Sequence, residues 1–244
     1  MKGTPVAGDN RGQRVGLLVP SSNTVMEVDF QRGLPSWAVL HTARMFMEET
    51  TPEAENEMLD VYAIPAATSV ATARPSVIVF GCTSAGALRG NDADAEFCNT
   101  ISRTTSTPTI SVIVSVRAAI ARHGGSRIGV FTPYVDALND KIKVSLEADG
   151  LDVVSMSGLG ITENFAIAEV LPDQIAAEAE RRLADKSIDL AFISCTNFRA
   201  ADAVADIEAR LGVPVVTSNL AALKATVDYL EAQSGLPAEA ASSG

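Results

Sequence analysis

The sequence predicts an α/β protein of two Rossmann-like halves, related by a pseudo-twofold axis, each with a small parallel sheet flanked by helices. Short apolar runs alternate with longer helical patterns, as in right-handed βαβ units. Hydrophobic residues make up 47% of the 244 residues and aromatic residues only 5%, a mixture typical of buried strands covered by small-residue helices. Several motifs also recur at one fixed spacing. We therefore expect the active site in the cleft between the halves.

The predicted strands of the first half are short apolar runs bounded by polar segments. They are Val15–Val19, a run within 37–47, Val77–Phe80 and Ile110–Val114. Thr50 and Thr51, followed by Pro52, predict the start of a helix, because they offer a capping hydroxyl and a proline suited to the first turn. This helix is expected to run toward Arg74 with a kink at Pro65.

The second half follows the same alternation of strands and helices. Its predicted strands are Ile128–Phe131, Val153–Met156, Leu190–Ile193 and Val213–Thr217, and its helices include 136–149, 172–186 and 200–211. We expect residues 13–121 with 217–233 to form the first half and residues 122–216 the second. The polar segments 1–12 and 234–244 are predicted to be loose tails.

An internal repeat relates the two halves at a common offset of 113 residues. The offset matches Arg14 with Arg127, Pro20 with Pro133 and Cys82 with Cys195. The flanking sequences also agree, since an apolar strand precedes each cysteine and a threonine follows it. Three matches at one offset indicate a duplicated α/β unit.

The paired cysteines are the main candidates for chemistry. Each ends a predicted strand, and ligands bind beyond the carboxyl ends of parallel strands. A helix is expected to follow each one, so its N-terminal N–H groups should favour the thiolate and lower the pKa of Cys82 and Cys195. A single such cysteine could equally be a small core residue. The equivalent positions favour a reactive pair, whereas Cys98, which has no repeat partner, is expected to pack in a helix.

Three further polar residues lie in loops at the predicted site. Asn23 follows the first strand and could cap a helix or donate to a carboxylate. Tyr134 occupies the equivalent loop of the second half and could pack as a lid or donate its hydroxyl. Asn164 precedes a predicted helix, as a turn residue, a cap or a ligand-binding residue. The residue types leave these alternatives open.

Charge and composition exclude several function classes. The net charge of −11 disfavours nucleic acids and anionic membranes as partners. Three cysteines do not form a disulfide framework, and no apolar run is long enough to span a bilayer, so we expect a cytoplasmic protein. The two histidines lack metal-ligand spacing, and neither a dinucleotide nor a phosphate-loop motif is present. We predict no metal and no cofactor.

The repeat, the Cys-Thr loops, the segment Pro-Ser-Ser-Asn-Thr at 20–24 and the Pro-Tyr loop together resemble the aspartate/glutamate racemase superfamily. Over roughly residues 13–232, the chain is most similar to the branch that holds maleate cis-trans isomerase and arylmalonate decarboxylase. The resemblance implies that Cys82 attacks the substrate and that Cys195 is its partner across the cleft. It implies a small anionic carboxylate as substrate and a homo-oligomer. The residues it assigns to carboxylate binding are Asn23, Thr83, Ser84, Tyr134, Asn164, Thr196 and Asn197.

The leading hypothesis for function is cofactor-independent cis-trans isomerisation of a maleate-like dicarboxylate. A two-cysteine amino-acid racemase or epimerase is the alternative, because the same pair could exchange an α-proton. Arylmalonate-type decarboxylation is disfavoured by Cys82, since the resemblance implies that the decarboxylase lacks a cysteine in the first half. A non-catalytic anion-binding protein is disfavoured because binding alone needs no thiolate.

Overall fold

The computed structural model describes residues 12–234, which form two four-stranded parallel sheets. The strands of the first sheet are β1 (Gln13–Pro20), β2 (Ala38–Met45), β3 (Val77–Phe80) and β4 (Thr109–Ser111). Those of the second are β5 (Arg127–Thr132), β6 (Asp152–Gly158), β7 (Leu190–Ile193) and β8 (Val215–Thr217). The strand orders are β2-β1-β3-β4 and β6-β5-β7-β8, so the two sheets have the same topology. The predicted α/β class with two repeated sheets is confirmed.

Helices connect the strands of both sheets. The first five are α1 (Met26–Gly33), α2 (Pro52–Glu57), α3 (Ala63–Ala71), α4 (Thr83–Leu88) and α5 (Asn91–Thr105). The rest are α6 (Val112–His123), α7 (Asp136–Glu147), α8 (Asn164–Ala168), α9 (Pro172–Leu183), α10 (Val204–Leu211) and α11 (Ser218–Ser234). A single 3₁₀ turn, Ala201–Ala203, precedes α10 and replaces the first turn of the helix predicted at 200–211.

The spacing of 113 residues holds up to the cysteines and then changes. At this spacing every residue of β3 has an equivalent in β7, and both strands are fully buried. From β4 to β8 the spacing falls to 106 residues. The connection in the second half is shorter because a turn and α10 stand where the first half has α4 and α5. The two cysteines are therefore equivalent in position, but the segments that come after them differ.

The predicted strand Ile110–Val114 is wrong at its carboxyl end. β4 stops at Ser111, and α6 begins at Val112 despite three consecutive β-branched residues. The reason is a cap, because the Ser111 side chain accepts a hydrogen bond from Val114 N at 3.4 Å. A capped helix start outweighed the local preference for a strand.

Pro65 does not break the helix that was predicted from Thr51 toward Arg74. The cap at Thr51 is confirmed, since its hydroxyl accepts from Ala54 N at 3.3 Å. A π-helical turn at Met58–Tyr62 then joins α2 to α3, which contains Pro65. Because proline lacks an N–H and crowds the carbonyl four residues earlier, a wider turn just ahead of it accommodates the ring, and the kink at Pro65 stays a prediction.

Helices of the two halves also contact each other. α4 of the first half packs against α7 of the second, and α11, which follows β8, packs against both α6 and α1. The division into 13–121 with 217–233 and 122–216 stays a prediction. The predicted tails lie outside the described residues except for Gly12 and Ser234, and Ser234 is the last residue of α11 rather than part of a loose tail.

Candidate active site

Both cysteines lie two residues beyond the central strands of their sheets and are nearly inaccessible. Cys82 is 4% exposed and Cys195 5% exposed. Cys82 is the N-cap residue of α4, as predicted. Cys195 does not precede a helix, because a turn follows it and its φ of 106° lies in the left-handed region. The prediction of a helix N-terminus at Cys195 is therefore wrong, because the shorter connection in the second half leaves room only for a turn.

Ser218 bridges the two cysteine loops. Its hydroxyl oxygen accepts a hydrogen bond from Thr83 Oγ1 at 2.8 Å and another from Cys195 N at 3.1 Å. Thr83 adjoins Cys82 in sequence, so one buried side chain links the loop of Cys82 to the backbone of Cys195. Ser218 was not among the site residues that the sequence predicts. Its only signal was that it is a small polar residue directly after the last strand.

Hydrogen-bond donors surround the sulfur of Cys195. Asn197 N lies 3.3 Å from Cys195 Sγ, and the Tyr134 side chain is hydrogen-bonded to the same cysteine. Tyr134 is 1% exposed, and burial raises the pKa of its phenol well above the usual range. Its hydroxyl is therefore neutral and can donate to an anionic sulfur. Of the two roles left open for Tyr134, its effect on the pKa of Cys195 favours a hydroxyl donor at the cysteine, which stays a prediction.

The three predicted asparagines fasten the two halves together. Asn23 Oδ1 accepts from the N–H groups of residues 25 and 26 at 3.0 Å, at the start of α1, and its Nδ2 donates to Thr196 Oγ1 at 3.1 Å. Asn197 Nδ2 donates to Asn164 O at 2.6 Å, and its Oδ1 accepts from Thr24 N at 2.8 Å. These bonds join loops from both sheets at one buried locus.

Asn164 and Thr196 complete this network. Asn164 Nδ2 donates to Ser22 Oγ at 2.8 Å, and Asn164 Oδ1 accepts from Thr50 Oγ1 at 3.1 Å. Thr196 Oγ1 donates to the carbonyl of Gly81 at 3.1 Å, beside Cys82. The structure thus brings all predicted site residues to the junction of the halves. Their roles in substrate binding stay predictions, because much of their hydrogen-bonding capacity is used within the protein.

Glu55 is a site residue that the sequence did not predict. It is fully buried on α2, and its Oε1 accepts a hydrogen bond from the Ser84 hydroxyl. Ser84 Oγ lies 3.9 Å from Cys82 Sγ. The available signal was helical spacing, because Glu55 shares a face with the buried residues Met58 and Leu59, three and four positions later.

Burial governs the titration of the site. It raises the pKa of Cys82 well above the usual range, and the nearby Glu55 carboxylate raises it further, while the Ala85 N–H opposes the shift. Burial raises the pKa of Cys195 to about 12, although Tyr134 and Asn197 donate to the sulfur. The predicted lowering of both pKa values is therefore wrong in direction. The donors are present, but removing the thiols from water outweighs them.

Two features lie outside the cysteine site. Arg44 donates to the carbonyls of Ser21 and Asn23 and pairs with Glu27 at 2.8 Å, so it holds the loop after β1. Cys98 is buried in α5, with its pKa raised by burial and by Asp94, as expected for a packing residue.

Across residues 12–234 no group of three or more His, Cys, Asp or Glu side chains could hold a metal ion. Within the same range no helix is long and apolar enough to cross a bilayer.

The fold and the site define a class of α/β proteins in which two repeated halves each contribute a cysteine to one buried locus. The family model described as arylmalonate decarboxylase matches residues 15–243. The chain belongs to this family. The maleate isomerase of Alcaligenes faecalis is 25% identical over 219 residues, which cover 84% of this chain and 86% of that enzyme.

Solved structures show the same fold. The maleate isomerase Iso of Pseudomonas putida S16 aligns with a TM-score of 0.84 at 24% identity, covering 90% of this chain and 93% of that one. A mutant of the Nocardia farcinica maleate cis-trans isomerase, solved with a covalently bound succinylcysteine intermediate, aligns with a TM-score of 0.79. It is 24% identical and covers 90% of this chain and 93% of that one.

Proposed function

We propose that this protein is a cofactor-independent isomerase that interconverts the cis and trans forms of a maleate-like dicarboxylate. The observation that carries the proposal is that Ser218 links the loops of Cys82 and Cys195, one from each half, beside the neutral hydroxyl of Tyr134. Membership of a family that includes maleate isomerases supports it. The succinylcysteine intermediate in the Nocardia farcinica enzyme supports a covalent route through a cysteine.

Cys82 is the proposed nucleophile. Its sulfur, once deprotonated, adds to one alkene carbon, and the π electrons move onto the carboxylate attached to the other carbon. The former double bond is then a single bond, so the two carboxylates can rotate apart. When the electrons return, the carbon–sulfur bond breaks and the trans alkene leaves with the thiolate restored. No proton or electron is consumed overall.

The proposed partner role of Cys195 follows from its donors. Tyr134 and the Asn197 N–H donate to its sulfur, so Cys195 can be stabilised as an anion or give a proton toward the substrate. The developing charge on the substrate carboxylate needs preorganised donors in a site shielded from water. We expect the backbone N–H groups of Thr83, Ser84 and Thr196 to supply them, because the hydroxyl protons of these residues are donated to Ser218, Glu55 and the Gly81 carbonyl.

The test is conversion of maleate to fumarate by purified wild type and by single cysteine variants. C82S is expected to lower turnover by at least about a thousandfold, because a serine hydroxyl is a far weaker nucleophile than a thiolate. C195S is expected to lower it by about a hundredfold or more. C98S is the matched control and should retain activity. If C82S and C195S both turn over maleate like wild type, the proposal fails.

Two other activities are distinguished in the same preparation. Incorporation of solvent deuterium at an α-carbon, with loss of optical activity of aspartate or glutamate, would assign a racemase instead. Release of carbon dioxide from an arylmalonate would assign decarboxylation, the activity by which the family is described. A thioether at Cys82, trapped with maleate and identified by mass spectrometry, would support isomerisation.

We further propose that the enzyme works in the cytoplasm as a homo-oligomer. The three cysteines are free thiols, which suits a reducing compartment. Light scattering of the purified chain measures its mass in solution, and a monomer would contradict the second part of the proposal.

A further inference from the structure

Glu55 places a carboxyl group beside the nucleophile. It is fully buried where α2 packs against α4, and Oε1 accepts from Ser84, whose hydroxyl oxygen is 3.9 Å from Cys82 Sγ. Within residues 12–234, Oε2 is buried and has no hydrogen-bond partner. A buried polar atom without a partner is costly, so this oxygen is suited to a ligand.

The groups around Glu55 do not compensate a negative charge. The titratable groups that face it are Cys82, Cys195 and Tyr134, all of which become neutral or anionic and never cationic. On the π-helical turn next to α2, Asp60 points outward and pairs with Arg89 at 2.8 Å. Burial raises the pKa of Glu55 to about 8, opposed only by the Ser84 hydroxyl. At neutral pH Glu55 is therefore mainly an uncharged carboxylic acid.

A neutral carboxylic acid has one strong acceptor and one O–H donor. If Oε1 accepts from Ser84, the proton lies on Oε2, the oxygen without a partner. This donor fits the acceptor-only carboxylate of a dicarboxylate. Once ionised, the same group would present a negative charge to another negative charge in a site with little water, which disfavours binding.

We propose that Glu55 is a specificity-determining residue whose neutral carboxyl donates a hydrogen bond to one carboxylate of the substrate, and whose ionisation weakens the binding of dianions. The inference rests on the dicarboxylate class of the proposed function and assigns a recognition group to it. Glu55 thereby sets an upper pH limit for binding that Cys82 alone would not impose.

The test is calorimetric binding of succinate, a saturated dicarboxylate that cannot be isomerised, from about pH 7 to about pH 10. The wild-type association constant is expected to fall as Glu55 ionises, approaching tenfold per pH unit above about pH 8. E55Q keeps an N–H donor but cannot ionise. It should bind succinate within a few-fold of wild type near pH 7 and stay constant through the higher range.

S84A provides a second measurement that does not depend on E55Q folding. Without the Ser84 hydroxyl, which favours the ionised form, the pKa of Glu55 rises, so the loss of succinate binding should move to higher pH. A merely structural role for Glu55 would not move this profile. The proposal is overturned if E55Q loses binding over the same range as wild type, if wild-type binding is independent of pH, or if S84A leaves the profile in place.

Failure of this inference is distinguishable from failure of the proposed function. A chain that binds succinate with the expected pH profile but does not isomerise maleate would keep the Glu55 assignment and remove the isomerase assignment. A chain that isomerises maleate but binds succinate equally at every pH would do the opposite.

Discussion

At the scale of single residues, the site is controlled by burial more than by its donors. Ala85 N–H and Ser84 act on Cys82, and Tyr134 acts on Cys195, yet the pKa of both thiols is raised. Neutral thiols resist adventitious oxidation and alkylation, since the thiolate is the reactive form. Because both thiols are neutral, the substrate must be bound and oriented before a thiolate can react with it.

Glu55 should also affect stability in a pH-dependent way. Its pKa is about 8 in the folded protein against 4.5 in an unfolded chain, so the folded state binds the proton more tightly. The stability that this group contributes is fully present below pH 4.5 and is lost as pH rises through about 8. Relative to E55Q, the free energy of unfolding of wild type should fall by up to roughly 5 kcal/mol across this window.

Urea denaturation at several pH values measures this difference. E53Q is the matched control, because Glu53 is on the same helix but exposed, so this variant keeps the buried Glu55 carboxyl and should lose stability with rising pH as wild type does. A constant difference between E55Q and wild type would contradict the assignment of a neutral buried carboxyl.

At the scale of elements, the positions where helices start explain which strand and helix bounds were predicted correctly from the sequence and which were not. Strands β3 and β7 were predicted to the residue because short apolar runs end at polar loops. The carboxyl end of β4 was missed because the cap at Ser111 overrides the β-branched residues that follow. The turn after Cys195 was missed because the repeat suggested a helix there, whereas the shorter connection forms a turn. Local patterns do not report how long a connection must be.

The cap of α2 supports the site and can be tested by itself. T51A removes the hydroxyl that accepts from Ala54 N and should cost about 1 kcal/mol of stability. T51S keeps that acceptor and should lose only a fraction of this. Because Glu55 lies one turn beyond the cap, T51A should also weaken succinate binding while T51S does not. Equal stability of T51A and T51S in urea denaturation would contradict a capping role.

At the scale of the whole molecule, the candidate site exists only where the halves meet. The sequence repeat was enough to predict that Cys82 and Cys195 share one cleft. It could not predict Glu55 or Ser218, because each contributes through a contact between residues far apart in sequence. It also could not predict that Asn23, Asn164 and Asn197 use their amides to join the halves, since an amide in a loop looks the same whether it meets a ligand or a neighbouring backbone.

The Ser218 hydroxyl should therefore contribute both to the stability of the protein and to its activity. S218A leaves Thr83 Oγ1 and Cys195 N without their common acceptor, which should cost about 1–3 kcal/mol of stability. Because both bonds hold cysteine loops, turnover of maleate should fall by about tenfold or more even under conditions where the variant is fully folded.

T226V is the control for a buried hydroxyl in the same helix. Thr226 Oγ1 donates to Ala222 O at 2.7 Å, within α11 and away from the cysteines. Its loss should lower the melting temperature but leave turnover of the folded protein unchanged. If S218A and T226V lose stability to a similar degree and neither loses turnover, the bridge at Ser218 stabilises the fold without positioning the cysteines. A loss of turnover in S218A but not in T226V would show that one hydroxyl at the junction of the halves, that of Ser218, positions both cysteines.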